Sequence, residues 1–505
     1  MDEPVVRIAS GAVRGRLDGS VAVFRGIPYA QPPVGALRFA APAPVPPWDG
    51  VREADKFGPS PPQSRLAALA VPEPAPGADR TDWLTVNVWS PSLGPDAALP
   101  VMVWIYGGAY RSGTAASPSY NGIRLAERGV VVVTFNHRVG VEGFAQLPGM
   151  PPNRGLLDDV AALAWVRENI GAFGGDPDSV TVFGESAGAG AIASLLVMPS
   201  AAGLFRRAIA QSVPGTFFTP ALAADITQAI AVAAGLPATA QAFAGADPDR
   251  LAAASDAVVT GDHPRWAQVA LSRVPFAPVV DGQVLPSTPW HALATGTARD
   301  VELLTGHNRD EYRLFLELAG LRGKVTQAMA DQLIDGFVPS HGRSDGREAY
   351  RAAYPGADAE TLYEVVFSDW LFRMPTLHLA QSHAVGGGRT FLYELVFEAG
   401  PLGACHTLDV PLVFGIAAEL GEFLLGREPG AAAIELGDLM RSEWVAFATT
   451  GDPGWTPYSP GRRMTRIYGT EPEVIPYPEV ASMHVWDQQR LGRIDLAEPV
   501  TAASL

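Results

Sequence analysis

Apolar residues along this chain follow two distinct periods. The short runs Val101 to Ile105, Val130 to Phe135, Val180 to Phe183, Ala208 to Ala210, Val301 to Leu304 and Thr390 to Phe397 are apolar or β-branched at nearly every position. That is the pattern of strands covered on both faces. Between the second and third of these runs, Leu156, Val160, Leu163, Val166 and Ile170 recur at spacings of three and four. This predicts a helix from Leu156 to Ile170 with one apolar stripe. Gly174-Gly175-Asp176-Pro177 then breaks the pattern and leads into the next strand. Leu439 to Ala448 predicts one more amphipathic helix packed on the core. Strand–helix–strand alternation of this kind predicts an α/β fold, with a mostly parallel central sheet covered by helices on both faces.

The remaining stretches fill in the organisation. Pro59 to Asp82 is rich in Pro, Ala and Gly and reads as a long surface loop. Helical, alanine-rich or charged segments at 216–273 and 320–358 interrupt the strand series. They are expected to lie over the upper edge of the sheet and to shape a substrate pocket there. No internal repeat or linker divides the chain, so residues 1–505 are expected to form a single domain around one sheet.

Composition narrows the partners. Hydrophobic residues make up 47% and charged residues 18%, a balance that suits a globular protein with a large core. No apolar run reaches the roughly 18 residues of a membrane span. The start, Met1-Asp-Glu-Pro, lacks the basic and apolar regions of an export signal, so a cytoplasmic location is expected. A net charge of −16 argues against nucleic acid or anionic lipid as partners. The acidic surface and ordinary termini fit a monomer and leave a dimer open. With Cys405 as the only cysteine, no internal disulfide can form. Cys405 reads as a small apolar wall residue despite lying beside a histidine.

The candidate chemistry centres on Val180-Thr-Val-Phe-Gly-Glu-Ser-Ala-Gly-Ala-Gly190. A β-rich run meets Gly-x-Ser-x-Gly and passes into small residues, the sequence form of a nucleophile elbow that exposes Ser186 on a strained strand-to-helix turn. Gly184 and Gly188 suit a turn that brings backbones closer than a Cβ would permit. A serine hydroxyl needs a base within hydrogen-bond reach, itself oriented by a carboxylate. On such a fold the chain order is serine, acid, histidine. His406 follows the strand-like Phe391 to Phe397 and a Gly400-Pro-Leu-Gly403 turn, whereas His307 precedes the best acid. Glu311 falls in the loop after Val301 to Leu304, with Asp310 as the neighbouring alternative. Gly107 and Gly108, at the end of the run from Val101, offer backbone amides to an oxyanion, with the amide of Ala187 as a third donor.

These residues sit in a wider set of motifs. Phe24-Arg-Gly-Ile-Pro-Tyr-Ala-Gln-Pro-Pro-Val-Gly35, Asp82-Trp-Leu-Thr-Val-Asn-Val-Trp89, Trp104-Ile-Tyr-Gly-Gly-Ala-Tyr110, Phe135-Asn-His-Arg-Val-Gly140, Phe173-Gly-Gly-Asp-Pro177 and Cys405-His-Thr-Leu-Asp-Val-Pro-Leu-Val-Phe-Gly415 accompany the elbow. With them the chain resembles the type-B carboxylesterases of the α/β-hydrolase fold, the group that includes bacterial para-nitrobenzyl esterases and animal cholinesterases. The resemblance covers roughly Gly11 to Tyr458. It implies a catalytic triad of Ser186, Glu311 (rather than Asp310) and His406, joined in a hydrogen-bonded row. It also implies an oxyanion hole of Gly107, Gly108 and Ala187, Ser212 as a residue next to the triad glutamate, and Arg138 with Asp158 as a structural ion pair.

Some positions depart from the family. The disulfide of animal members would fall at Trp83 and near Ser60 or Pro61, where no cysteine stands. The choline-stacking tryptophan would fall near Glu73, which argues against quaternary-ammonium substrates. Thr81 replaces a usual glutamate. The expected activity is hydrolysis of small-molecule carboxylic esters through an acyl-enzyme, with no cofactor and no metal. An amidase or carbamate hydrolase using the same triad is the alternative. A binding module of the same fold fits less well, because every triad position is filled.

Overall fold

The computed structural model describes residues 3–63, 80–261, 263–266, 268–338, 346–398, 400–415, 419–487 and 491–497. The middle of the expected surface loop at 59–82 lies outside the described residues. An eleven-stranded sheet dominates, and a separate small sheet joins Val5–Ile8, Gly11–Arg14 and Val51–Glu53. In the large sheet, seven strands run parallel: Leu99–Ile105, Val131–Phe135, Gly175–Glu185, Arg207–Gln211, Glu302–Asn308, Thr390–Leu395 and Met464–Tyr468. Antiparallel strands finish both ends.

Alternation along the strands explains the two covering layers. Val101, Val103 and Ile105 join one apolar cluster with Leu163 and Val166 of the helix Arg154–Asn169 and with Ile192 of the helix Ala187–Leu195. Met102 and Trp104, from the same strand, join a second cluster with Leu436, Met440 and Trp444 of the helix Ala431–Thr450. Successive side chains of a strand point to opposite faces, so an all-apolar strand requires helices on both. The expected mostly parallel, doubly covered sheet is what forms.

The boundaries differ in instructive ways. The expected helix Leu156–Ile170 starts at Arg154 and tightens into a 3₁₀ turn at Ile170–Phe173. The strand read as Val180 to Phe183 extends over Gly175–Glu185, because its polar first half pairs at Leu99↔Gly175 before the apolar half begins. The strand read as Val301 to Leu304 covers Glu302–Asn308, which places His307 inside the sheet. His307 is fully buried between Asn308 O and the Tyr477 hydroxyl, and burial pushes its pKa down to about 3. It is a core residue.

Both intervening segments are helical, with Pro220–Ala234, Ala240–Ala244, Pro248–Val259 and Gln268–Ser272 in the first and Gln327–Phe337 and Gly346–Ala353 in the second. The helix Pro220–Ala234 shows why: Thr219 caps its Leu222 amide, proline opens it, and left-handed Gly235 closes it. After the helix Ala431–Thr450, wider than the expected Leu439 to Ala448, come two short strands and the helix Val480–Trp486. Among the described residues no helix is long and apolar enough to cross a membrane.

Sheet order fixes where a site can form. Leu99–Ile105 lies between Val131–Phe135 and Gly175–Glu185, so the chain leaves this strand on one side and returns on the other. The carboxyl ends of strands at such a switch point open a crevice. Gly107 and Ser186 follow directly from the two strand ends that border it.

Candidate active site

Ser186 occupies a backbone conformation foreign to most L-residues, with φ 56 and ψ −124. Such strain persists only where surrounding structure enforces it. Here the Ser186 amide donates to Gln211 O at 2.9 Å, and Ser186 O accepts from the Gly190 amide at 3.0 Å as the following helix begins. Close backbone contact explains the flanking glycines. A Cβ on Gly188 would overlap the carbonyl of Ile105, and one on Gly107 would stand 3.0 Å from Cβ of Ser186 and 2.8 Å from Glu185 O. Gly108, with φ 119, starts a left-handed run that Ala109 and Tyr110 continue. Tyr110 O accepts from the Gly140 amide at 2.6 Å, which pins that run. Among the described residues, the amides of Gly107, Gly108 and Ala187 have no backbone acceptor.

Glu311 and His406 meet. The imidazole Nδ1 lies 2.6 Å from Glu311 Oε2. Glu311 Oε1 accepts from the Ser212 hydroxyl at 2.6 Å and from the Asn308 amide at 2.9 Å. Glu311 is fully buried. Asp310 turns the other way, towards Arg309, Arg313 and the Ala404 amide, and those arginines outweigh its burial to hold its carboxyl below the ordinary value. Ser212 thus lies directly against the Glu311 carboxylate. Arg138 and Asp158 form a fully buried pair, with guanidinium–carboxylate contacts of 2.7 and 2.8 Å.

One expected contact is absent. The hydrogen-bonded row stops at the imidazole: His406 Nε2 lies 3.0 Å from Glu185 Oε1, and no hydrogen bond joins it to Ser186 Oγ. The reason is electrostatic. Glu185 is buried beside Ser186, its Oε1 also accepts from the Thr407 hydroxyl at 2.9 Å, and a carboxylate outcompetes a neutral hydroxyl for the imidazole proton. Burial opposes a charged imidazole, but Glu185 and Glu311 outweigh it and raise the His406 pKa to about 10. Catalytic hydrogen bonds are often long or misaligned until substrate binds.

Further groups that sequence reasoning missed lie near these carboxylates and the ring. Asp409 accepts from Gln211 Nε2 and from the Tyr393 hydroxyl, both at 2.8 Å, and burial followed by the Glu185 charge pushes its carboxyl up to about 6. Phe372 stacks on the imidazole with centroids 4.2 Å apart, and Phe315 flanks it at 5.1 Å. The signal for Glu185 was present: a charged residue closing the apolar half of a strand is out of place unless it has work there. Phe372 gave none, since an aromatic in an apolar run reads as core. Cys405 is buried, and burial pushes its thiol up to about 12, which agrees with the inert wall residue expected. Among the described residues no cluster of His, Cys, Asp or Glu has the arrangement of a metal site.

Comparison with known proteins identifies the family. Residues 2–471 match the carboxylesterase family. The chain is 36% identical over 497 residues to para-nitrobenzyl esterase of Bacillus subtilis (strain 168), covering 95% of this chain and 97% of that protein. It is 37% identical over 476 residues to fumonisin B1 esterase of Sphingopyxis macrogoltabida, covering 90% and 83%. The structure of a Geobacillus stearothermophilus carboxylesterase at pH 6.2 superposes with a TM-score of 0.83 at 33% identity, covering 95% of this chain and 99% of the other. A solved para-nitrobenzyl esterase gives 0.82 at 34% identity, covering 96% and 99%. With the switch-point crevice, the strained serine and matches along nearly its whole length, the chain belongs to the carboxylesterase family of α/β-hydrolase fold and is a serine hydrolase of carboxylic esters.

Proposed function

We propose that Ser186, His406 and Glu311 form the catalytic triad and that the amides of Gly107, Gly108 and Ala187 form the oxyanion hole. The observation that carries this reading is the 2.6 Å contact between His406 Nδ1 and Glu311 Oε2, in the crevice where Ser186 holds its left-handed turn. When an ester enters, the neutral ring takes the Ser186 proton at Nε2 as Oγ bonds to the ester carbonyl carbon. The carbonyl electron pair moves onto oxygen, where the free amides receive it. Glu311 stabilises the imidazolium, held in place by Ser212 and Asn308. The C–O bond to the alcohol breaks as Nε2 returns the proton to the leaving oxygen. Water, deprotonated by the same nitrogen, then releases the acid from the acyl-enzyme.

The helical segments at 216–273 and 320–358 supply walls for the acyl and alcohol groups in this reading, and the substrates are small-molecule esters. Labelling with an organophosphate followed by peptide mass analysis tests it. Phosphylation at Ser186 with complete loss of esterase activity is expected, and labelling elsewhere with Ser186 unmodified would overturn the nucleophile. Turnover of matched aryl ester, anilide and carbamate substrates then decides the acyl chemistry. The ester is expected to be fastest, and a faster anilide or carbamate would replace the ester reading.

A further inference from the structure

The helix that carries Phe372 is irregular at that point. Asp369–Arg373 forms a single π turn, buried at every residue, between the helices Ala359–Ser368 and Met374–Val385. Such turns insert an extra residue into a helix and need side-chain support to persist. The segment around this one touches the proposed machinery at several points. Ser368 Oγ accepts from the amide of Tyr312, next to Glu311, at 3.0 Å. Thr376 Oγ1 accepts from the amide of Val213, next to Ser212, at 2.9 Å, and Leu371 O accepts from the Gly215 amide at 2.8 Å. The Phe372 ring lies on the imidazole of His406 at an interplanar angle of 25°.

Support for the turn comes from far along the chain. Arg373 is 2% exposed, so its charge must be matched inside the protein. Its Nε lies 3.3 Å from Asp369 Oδ1, an ion pair without a directed hydrogen bond, and its Nη2 donates to Glu479 Oε2. Glu479 precedes the helix Val480–Trp486. That helix holds the same region twice more. Trp486 Nε1 donates to the Tyr350 hydroxyl at 2.7 Å, which in turn donates to Asp369 Oδ2 at 2.9 Å, and Ser482 Oγ meets the Tyr354 hydroxyl. Glu479, Ser482 and Trp486 all lie beyond residue 471, where the family match ends.

We propose that Arg373, held between Asp369 and Glu479, is a positioning residue that fixes the π turn and so keeps Phe372 against the His406 ring, which makes the segment after residue 471 part of what turnover requires. The proposal rests on His406 acting as the base. Neither Arg373 nor Glu479 touches the reacting atoms. They act by limiting the orientations open to the imidazole, and small displacements of a catalytic group lower the chemical step more than substrate binding.

Steady-state kinetics on Glu479→Gln, Arg373→Lys and Arg373→Met, with a para-nitrophenyl ester and circular dichroism as a folding check, provide the test. Glu479→Gln is expected to lower kcat roughly tenfold with KM within about twofold. Arg373→Lys should retain more activity than Arg373→Met, since it keeps a charge for Asp369 and Glu479. If Arg373→Met does not fold, Glu479→Gln, whose carboxylate is partly exposed, carries the test. Folded Glu479→Gln and Arg373→Lys proteins with unchanged kcat would overturn the proposal, as would a rise in KM alone. His406→Gln, measured beside them, separates the two levels. Retained activity in His406→Gln would sink the base assignment. An inactive His406→Gln beside unaffected Arg373 and Glu479 variants would sink only this inference. With His406→Gln as background, Glu479→Gln should reduce the residual hydrolysis no further, whereas a general structural role would lower it again.

Discussion

The two sides of the crevice are built by different physics. On the side of Ser186, backbone meets backbone: Gly188 packs on the Ile105 carbonyl, Gly107 packs on Ser186, and the serine is held left-handed by two main-chain hydrogen bonds. On the side of His406, position is set by charge. Glu311 and Glu185 take opposite nitrogens of the ring, and buried Asp409 lies within reach of both their charges. Steric construction allows almost no variation, because a single Cβ has nowhere to go. Electrostatic construction allows the ring to choose among acceptors, and in this structure it meets the neighbouring carboxylate instead of the hydroxyl. One side is preorganised, and the other is poised.

Substitutions can separate the two sides. The largest effect is expected for Ser186→Ala, a loss of roughly 10⁴-fold or more in kcat with unchanged circular dichroism. Near-normal turnover would remove Ser186 from the mechanism. Next comes Gly107→Ala. Its Cβ would stand 2.9 Å from Glu185 Oε2 and 3.0 Å from Ser186 Cβ, so the loop must shift, and with it the amides of the proposed oxyanion hole. A kcat loss on the order of 10²-fold is expected, and a loss confined to KM would contradict it.

On the charged side the effects are smaller. Ser212→Ala removes a 2.6 Å hydrogen bond to a buried carboxylate. Bonds to charged groups contribute about 1.5–3 kcal/mol, so a decrease in kcat/KM of roughly tenfold is expected. Activity equal to the parent would show that Asn308 alone holds Glu311.

The smallest change in rate, and the sharpest test of the charged side, is the pH profile. Because Glu185 and Glu311 raise the His406 pKa to about 10, the neutral base should become more populated, and kcat/KM should climb, well above the ordinary imidazole value of 6.5. Glu185→Gln removes one of those carboxylates, so its rising limb should move to lower pH. An unmoved limb would mean that the carboxylate beside Nε2 does not control the base. Stability carries the same sign. A group whose pKa is raised by folding stabilises fully below its unfolded value of 6.5 and loses that contribution as pH rises through about 10. Thermal melts of the parent should therefore fall over that window more than those of Glu185→Gln.

Legibility followed the same division. The Gly-x-Ser-x-Gly turn and the Gly107-Gly108 pair can be read from residue types, because close backbone approach requires glycine at fixed places in the chain. The choice between Asp310 and Glu311 was open on spacing, and the family resemblance pointed to Glu311. Its physical cause is visible only in space, where Arg309 and Arg313 draw Asp310 outward while Ser212 and Asn308 receive Glu311. His307 sat as close to a strand as a catalytic histidine should, and became a core residue once its strand ran on to Asn308.

By itself the sequence determined the parallel sheet, the helices on both faces and the strained serine, since hydrophobic period and glycine placement are local properties. The tertiary structure decided that the imidazole faces Glu185, that Phe372 covers it, and that Arg373 reaches Glu479. Those outcomes depend on burial and on the balance of charges brought together from distant segments, and neither is written in any one stretch of chain.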